Sequence, residues 1–301
     1  MLALALIVDA ILGEPDWLWR RVPHPAVLFG RVIDWLEGLL NEGASRRAKG
    51  VVAVLVLLVM VWLPARVLSW EIFLGVFEVL GAAVLIAQRS LADHVSAVAD
   101  ALRVSLAEGR GAVARIVGRD PETLDQAGVA RAAIESAAEN FSDGVVAPVF
   151  WFLVGGLPGI AIYKAVNTAD SMIGHRSERF AEFGWAAARL DDVLNWIPAR
   201  LAGLLICLVG GGRAAMKVML RDAALHKSPN AGWPEAAIAA SLEIALAGPR
   251  VYGGVLTDDP YVNAGGRTGA GPADIEAAVR LIWRAWVAVL AVAVLAVLVG
   301  R

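Results

Sequence analysis

The chain holds one cysteine, three tyrosines and four histidines among 301 residues. Cys207 sits in the apolar run LAGLLICLVGG, so neither an intrachain disulfide nor a cysteine metal cluster can form, and the residue reads as a small packing group. Charged residues make up only 19% of the chain, 27 basic against 29 acidic, for a formal net charge of -2. Without a basic surplus, nucleic acid is not an expected partner. The chain lacks the G-x-x-x-x-G-K-[ST] phosphate loop, a G-x-G-x-x-G turn after a strand, the G-x-S-x-G elbow and H-E-x-x-H, so any nucleotide is held by an unusual site. The opening MLALALIVDAILGEPDW has no basic lead-in and no small-residue cleavage site, and is expected to be retained rather than removed as a secretory signal. No Pro/Ser-rich linker and no internal repeat divides the chain, so residues 1–301 are expected to form one domain.

What the chain has in excess is apolar surface. Hydrophobic residues reach 58% and the mean hydropathy is +0.63, beyond what a water-soluble domain of this length carries. The expected fold class is an all-α integral membrane protein, a polytopic helical bundle. Leu2 to Leu12 falls short of the roughly 20 residues that a spanning helix needs and reads as a half-buried helix. Spans are expected at about 51–64 and 67–87, as a hairpin around Pro64 and Arg66, and at 283–300. Segments 145–163 and 199–212 either span or enter only partway. Gly155, Gly156, Pro158 and Gly159 break the first of these at its centre, which favours a re-entrant hairpin. Arg46, Arg47 and Lys49 place the Val51 end in the cytoplasm, and a hairpin returns the chain there near Arg89. The amphipathic stretch LADHVSAVADALRVSLAEG, stopped at Gly109 and Gly111, and a second helix from about Asp125 to Asn140 are then cytoplasmic. Gly253 to Gly271 is a glycine-rich loop, Pro272 opens the last helix, and the eleven tryptophans suit the lipid interface.

Polar residues concentrate in a few stretches. ESAAENFSDG sets Glu135 and Glu139 four apart on one helix face, as it does Ser136 and Asn140. Carboxylates at a membrane boundary suit magnesium, with waters and substrate phosphates completing its shell; a solvated helix face is the plainer alternative. YKAVNTADSMIGHRSERF places Lys164, Thr168 and Ser171, and likewise Asn167 and Asp170, at helical spacing, followed by His175, Arg176 and Arg179. Such a cluster binds phosphate or carboxylate, or merely touches lipid phosphates. In ARLDDVLNWIPAR, Arg189 precedes Asp192 by three and Asp191 precedes Asn195 by four; adjacent aspartates diverge on a helix, so only one of them is expected to meet a given metal. In HKSPNAGWPEAA, Ser228 and Asn230 flank a proline in a turn that offers N–H groups to an anion or simply caps the next helix. His24 lies between two prolines, in a rigid loop that presents the imidazole or is held by it.

Taken in order, GEPDWLWRRVPHPAVLFGRVI, RSLADH, ESAAENFSDGVVAPVFW, GGLPGIAIYKAVNTADSMIGHRSERFAEFG, ARLDDVLNWIPAR and SPNAGWPEAA resemble the CobD/CbiB family of cobinamide-phosphate synthases, over nearly the whole chain. The resemblance implies an enzyme of the cell (inner) membrane, with its active site facing the cytoplasm, that joins a carboxyl group of adenosylcobyric acid to aminopropanol phosphate, or aminopropanol, with ATP consumed. It implies ATP as cosubstrate, Mg2+ as the metal, and a corrinoid that is substrate rather than prosthetic group. Membrane lipid and other cobalamin-pathway enzymes are the further partners implied. Under this resemblance Lys164, Asp170, Arg176 and Arg189 become the catalytic candidates. Asn140, Asn167, Ser171, Ser228, Asn230 and His24 become substrate-binding candidates, and Glu135, Glu139, Asp170 and Asp192 magnesium ligands. Two other readings stay open: a magnesium-dependent intramembrane transferase acting on a diphosphate, whose repeated D-x-x-x-D spacing this chain does not reproduce, and a non-enzymatic membrane sensor or transporter.

Overall fold

The computed structural model describes residues 1–70, 73, 75–117, 121–252, 255–257 and 259–299. Glu71, the start of the GRDPETLD turn and part of the glycine-rich loop lie outside the described residues. In chain order the helices are α1 (Leu2–Leu12), α2 (Asp16–Trp19), α3 (Pro25–Leu40), α4 (Arg46–Leu68), α5 (Val76–Leu85), α6 (Gln88–Val104), α7 (Leu106–Val113) and α8 (Gln126–Phe141). A π-helical turn, Ser142–Val146, leads into α9 (Ala147–Ile173), followed by α10 (Trp185–Leu194), α11 (Trp196–Val209), α12 (Gly212–Asp222), α13 (Gly232–Ser241) and α14 (Pro272–Val299). Two short antiparallel ribbons lie between α13 and α14: β1 (Leu246–Ala247) with β4 (Tyr261–Val262), and β2 (Arg250–Tyr252) with β3 (Val255–Thr257). The chain comprises two compact units, Met1–Ala87 with Ala147–Trp196, and Gln88–Val146 with Ile197–Arg301.

In the first unit α3, α4, α5 and α10 pack against α9, and Ile33, Leu36, Leu57, Ile160, Tyr163 and Phe183 are buried among them. α3 starts on Pro25, where the missing N–H costs nothing, and His24 caps it by accepting the Ala26 N–H at 3.1 Å. The glycines break α9 as its sequence demands. The backbone leaves helical geometry at Gly155 and Gly156, the latter with φ 59°, a value open to glycine without strain. A Cβ on Gly159 would collide with the carbonyl of Trp151. In a straight helix residues that far apart in sequence are separated by about 12 Å, so the two halves of α9 turn sharply on each other. The run from 67 to 87 differs from its expected form as a span. α4 continues through Pro64 to Leu68, and α5 has 10 residues, rising about 15 Å against a hydrocarbon core of about 30 Å.

In the second unit α8 is central, packed by α6, α7, α13 and α14. Its residues from Gly128 to Ala138 are buried except for Arg131, which is half-buried, and the many alanines let neighbouring helices close on it from several sides. Asp125 caps it, accepting the Gly128 N–H at 2.6 Å. The preceding amphipathic pattern ends earlier than Gly109. The break falls at Ser105, whose hydroxyl accepts the Glu108 N–H at 3.1 Å and starts α7, which runs through Gly109 and Gly111. S-x-x-E is a helix-start signal, and it outweighs two glycines that cost only about 1 kcal/mol each.

Among the described residues three helical stretches are long and apolar enough to cross a membrane: Arg46–Leu68, Gln126–Ile173 and Pro272–Ala296. A fourth is reached if α10 and α11, bent by 45° at Asn195, count as one. Pro272 opens α14, as expected.

Candidate active site

The polar centre of the first unit is built from the second half of α9 and from α10. Tyr163 is fully buried and donates its hydroxyl to Asn195 Oδ1 at 2.9 Å. Asn195 Nδ2 in turn donates to Asp191 Oδ2 at 3.0 Å, and Asn167 Nδ2 reaches Asp191 Oδ1 at 3.3 Å. Both oxygens of Asp191 are thereby directed by amides, and the amide orientations of Asn167 and Asn195 are set by the carboxylate. Asp170, one helical step beyond Asn167, is an electrostatic neighbour of Asp191. Lys164, one step before it, is an electrostatic neighbour of His24. Ser171 donates to the Asn167 carbonyl at 2.9 Å and Thr168 to the Lys164 carbonyl at 2.7 Å, so these hydroxyls are spent partly on their own helix.

The adjacent aspartates diverge, as helical geometry requires. Asp191 joins the amide network, whereas Asp192 accepts from Arg189 at 3.0 Å, an i,i+3 ion pair on a partly exposed face. His24 uses both ring nitrogens: Nδ1 accepts from Ala26, which leaves the proton on Nε2 to donate to the Val84 carbonyl at 3.2 Å. Burial pushes the imidazole below its ordinary pKa, against Glu14 and the Val84 carbonyl, which raise it. This geometry makes His24 a neutral clamp for its loop. Arg176 is exposed in the segment after α9.

The other candidates belong to the second unit. Glu135 is buried and accepts the Ala247 N–H at 2.8 Å, fastening β1 to α8. Glu139 is exposed on α8. Asn140 donates to the Ser136 carbonyl and hydroxyl at 2.9 and 3.1 Å, while Ser136 donates to the Ile116 carbonyl at 2.8 Å. Ser228 Oγ accepts from the N–H groups of Asn230 and Ala231, each at 3.2 Å. Those are the groups that an anion would have used. Asn230 is buried and accepts from Arg200 at 3.4 Å, and the Arg200 guanidinium lies 4.5 Å over the Trp233 ring.

Among the described residues no three His, Cys, Asp or Glu side chains converge to hold a metal ion. Of the four magnesium candidates, Glu135 and Glu139 fall in the second unit, Asp170 and Asp192 in the first. What the first unit offers is two hard carboxylates that act on each other electrostatically, Asp170 and Asp191. That donor set fits a magnesium ion bound through one or two carboxylates and completed by water and substrate phosphate, rather than a protein-only cage.

A family profile described as CobD/Cbib protein matches residues 2–282, a range that takes in both units' motif helices. The chain belongs to the CobD/CbiB family. Similar CobD/CbiB proteins include the "Cobalamin biosynthesis protein CobD" of Sinorhizobium fredii (strain NBRC 101917 / NGR234), 51% identical over 306 residues that cover 95% of this chain and 92% of that protein. The protein of the same name from Brucella suis biovar 1 (strain 1330) is 48% identical over 327 residues, covering 100% of this chain and 97% of its own. That of Rhodobacter capsulatus is 49% identical over 305 residues, with 95% and 93% covered. No solved structure matches the chain. Three members of this polar centre, Tyr163, Asp191 and Asn195, are absent from the residues assigned a role from sequence: Asp192 is the expected magnesium ligand, but it pairs with Arg189, and Asp191 is the aspartate that joins the network. The i,i+4 spacing of Asp191 and Asn195 was visible, but nothing local to Tyr163 announces a partner on another helix.

Proposed function

We propose that the protein is an adenosylcobinamide-phosphate synthase, an ATP-dependent ligase of cobalamin biosynthesis that joins adenosylcobyric acid to aminopropanol phosphate. One observation carries the reading: relatives about half identical to this chain over nearly all of its length bear the name of a cobalamin biosynthesis protein. The polar centre on α9 and α10 supports it by its residue types.

The chemistry sets the tasks. A carboxylate oxygen is a poor leaving group, so the corrinoid carboxylate first attacks the γ-phosphorus of ATP, releasing ADP and forming an acyl phosphate. The amine nitrogen then attacks the acyl carbon, phosphate departs with one former carboxylate oxygen, and the nitrogen loses a proton. Magnesium, when bound, neutralises charge on the transferring phosphoryl group. Lys164 and Arg176 hold phosphate oxygens, and Asp170 with Asp191 supplies the carboxylates. Asn167, oriented by Asp191, positions substrate. Asp192 and Arg189 brace α10 through their ion pair. The bent α9 serves as a re-entrant element of an inner-membrane protein whose site faces the cytoplasm, where ATP is found.

The test is a mass-spectrometric assay of detergent-purified protein with adenosylcobyric acid, aminopropanol phosphate, ATP and magnesium. Product that needs all four is expected, and Asp170→Asn should lower its rate by about 100-fold or more while the protein stays in the membrane. A folded protein that forms no product and consumes no ATP, beside an active known synthase, overturns the reading and turns attention to diphosphate substrates.

A further inference from the structure

The segment Gly174–Gly184, between α9 and α10, closes on itself. The backbone of Gly184 lies so near the Ile173 carbonyl that a Cβ there would collide with it. The segment also packs on its own side chains, with the His175 and Phe180 rings edge to face at 4.9 Å. Its backbone turns are tied by Ala181 N–H to the Ser177 carbonyl at 2.8 Å and Gly184 N–H to the Phe180 carbonyl at 2.8 Å. A compact loop with joined ends, packed by its own side chains, is an Ω-loop, a form that often carries function.

Its outer turn is pinned from α3 and from the start of α4. Arg179 presents a two-pronged fork to Glu37, with Nε 3.0 Å from Oε1 and Nη2 2.7 Å from Oε2. Asn41 donates to the same carboxylate at 2.7 Å and to the Arg179 carbonyl at 3.2 Å. Arg46 donates to that carbonyl as well and to Asn41 Oδ1 at 2.8 Å. An isolated surface ion pair contributes little, but this one is bidentate, has its carboxylate side chain only 11% exposed, and shares a connected set of hydrogen bonds. At the far end Arg47 stacks 3.8 Å over the Trp185 ring. The near end is rooted in the polar centre, where Gly174 N–H donates to the Asp170 carbonyl at 2.7 Å. Between these anchors His175 and Arg176 remain exposed.

We propose that Glu37 and Arg179 are positioning residues whose ion pair holds the 174–184 loop as a fixed platform, presenting Arg176 to the phosphate monoester of the phosphorylated amine. The substrate assignment rests on the ligase reading above; the platform itself rests on the loop's anchoring. In this reading Glu37 and Arg179 spend their charges on each other and act on substrate through the loop.

The experiment uses the full-length protein in detergent, as wild type, Glu37→Gln and Arg179→Lys, the last keeping the charge while losing the planar fork. Trypsin cleavage after Arg176 is followed with and without millimolar inorganic phosphate. Slow cleavage that phosphate slows further is expected in wild type; Glu37→Gln should be cut about tenfold faster and lose the protection, with Arg179→Lys between them. In turnover, KM for aminopropanol phosphate should rise about tenfold in Glu37→Gln, while kcat/KM for unphosphorylated aminopropanol changes much less. Equal cleavage and equal protection in wild type and both variants, or faster cleavage with no change in the preference for the phosphorylated amine, overturns the proposal. A wild type that forms no amide but shows protection lost in Glu37→Gln supports the anion platform and sinks the ligase reading alone. Should Glu37→Gln fail to fold, Arg179→Lys carries the same comparison.

Discussion

On α9 and α10, Asp191 takes its hydrogen bonds from the side chains of Asn167 and Asn195, whereas before α13, Ser228 takes its own from the backbone N–H groups of Asn230 and Ala231. The same contrast holds for the carboxylates. Asp170 is an electrostatic neighbour of another acid, while buried Glu135 accepts a backbone N–H of β1. Both regions looked alike as polar stretches. The partners of these groups separate them: Ser228 and Glu135 are bound to backbone, which satisfies the fold, whereas Asp191 is held by side chains of two helices with a second acid as its electrostatic neighbour, a centre that a substrate or ion can address.

That contrast can be broken by mutation, and the sharpest break is at Asp191. Asp191→Asn should keep the hydrogen-bonding shape but remove the charge, lowering turnover about 100-fold with the helices intact by circular dichroism; wild-type rates would dissolve the distinction. Tyr163→Phe strips Asn195 Oδ1 of its buried donor and should cost about 1–3 kcal/mol, read from thermal unfolding in detergent, with a several-fold loss of turnover as Asn195 and then Asp191 loosen. In the second unit Ser228→Ala should cost about 1 kcal/mol, the usual worth of a hydrogen bond, because its hydroxyl accepts the Asn230 and Ala231 N–H groups in the turn before α13, and leave turnover within twofold; a loss comparable to that of Asp191→Asn would return the anion site to the start of α13. The smallest effect belongs to Asp222. The hydrogen bond from Arg221 holds its carboxyl below the usual carboxylate range, against burial and with help from the Asn263 N–H. A depressed folded-state pKa stabilises fully above the unfolded value near 3.9 and is lost as pH falls through the folded value. Asp222→Asn should therefore lower the unfolding temperature at pH 7, and the gap should narrow below about pH 4; a gap that persists there would mean that packing, not charge, is what Asp222 provides.

Much of this was legible in the sequence because it depends on local rules. The apolar excess and the helix from Asp125 follow from periodicity and caps, as does Pro272 at the head of α14. The break in α9 follows from Gly155 and Gly156. The divergence of Asp191 from Asp192 is a consequence of 100° per residue. What was missed needed distance information. Glu37 and Arg179 are far apart in the chain and meet only when α3 lies beside the Ω-loop. Tyr163 and Asn195 meet only through the packing of α9 on α10. The end of α6 differs from the glycine signal for a different reason: S-x-x-E at Ser105 starts α7, and Gly109 and Gly111 cost too little to stop it. The separation into two units has no compositional boundary, since Ala87 to Gln88 and Val146 to Ala147 fall between helical segments without a linker.

The proposed ligation is tested most directly by following oxygen. Adenosylcobyric acid labelled with 18O in the reacting carboxylate is turned over with ATP, magnesium and aminopropanol phosphate, and the released phosphate is analysed by mass. Formation of an acyl phosphate predicts one labelled oxygen in inorganic phosphate for each amide formed. Amide product with unlabelled phosphate would contradict activation of the corrinoid carboxylate by γ-phosphoryl transfer, and with it the phosphate-holding role given to Lys164 in that step.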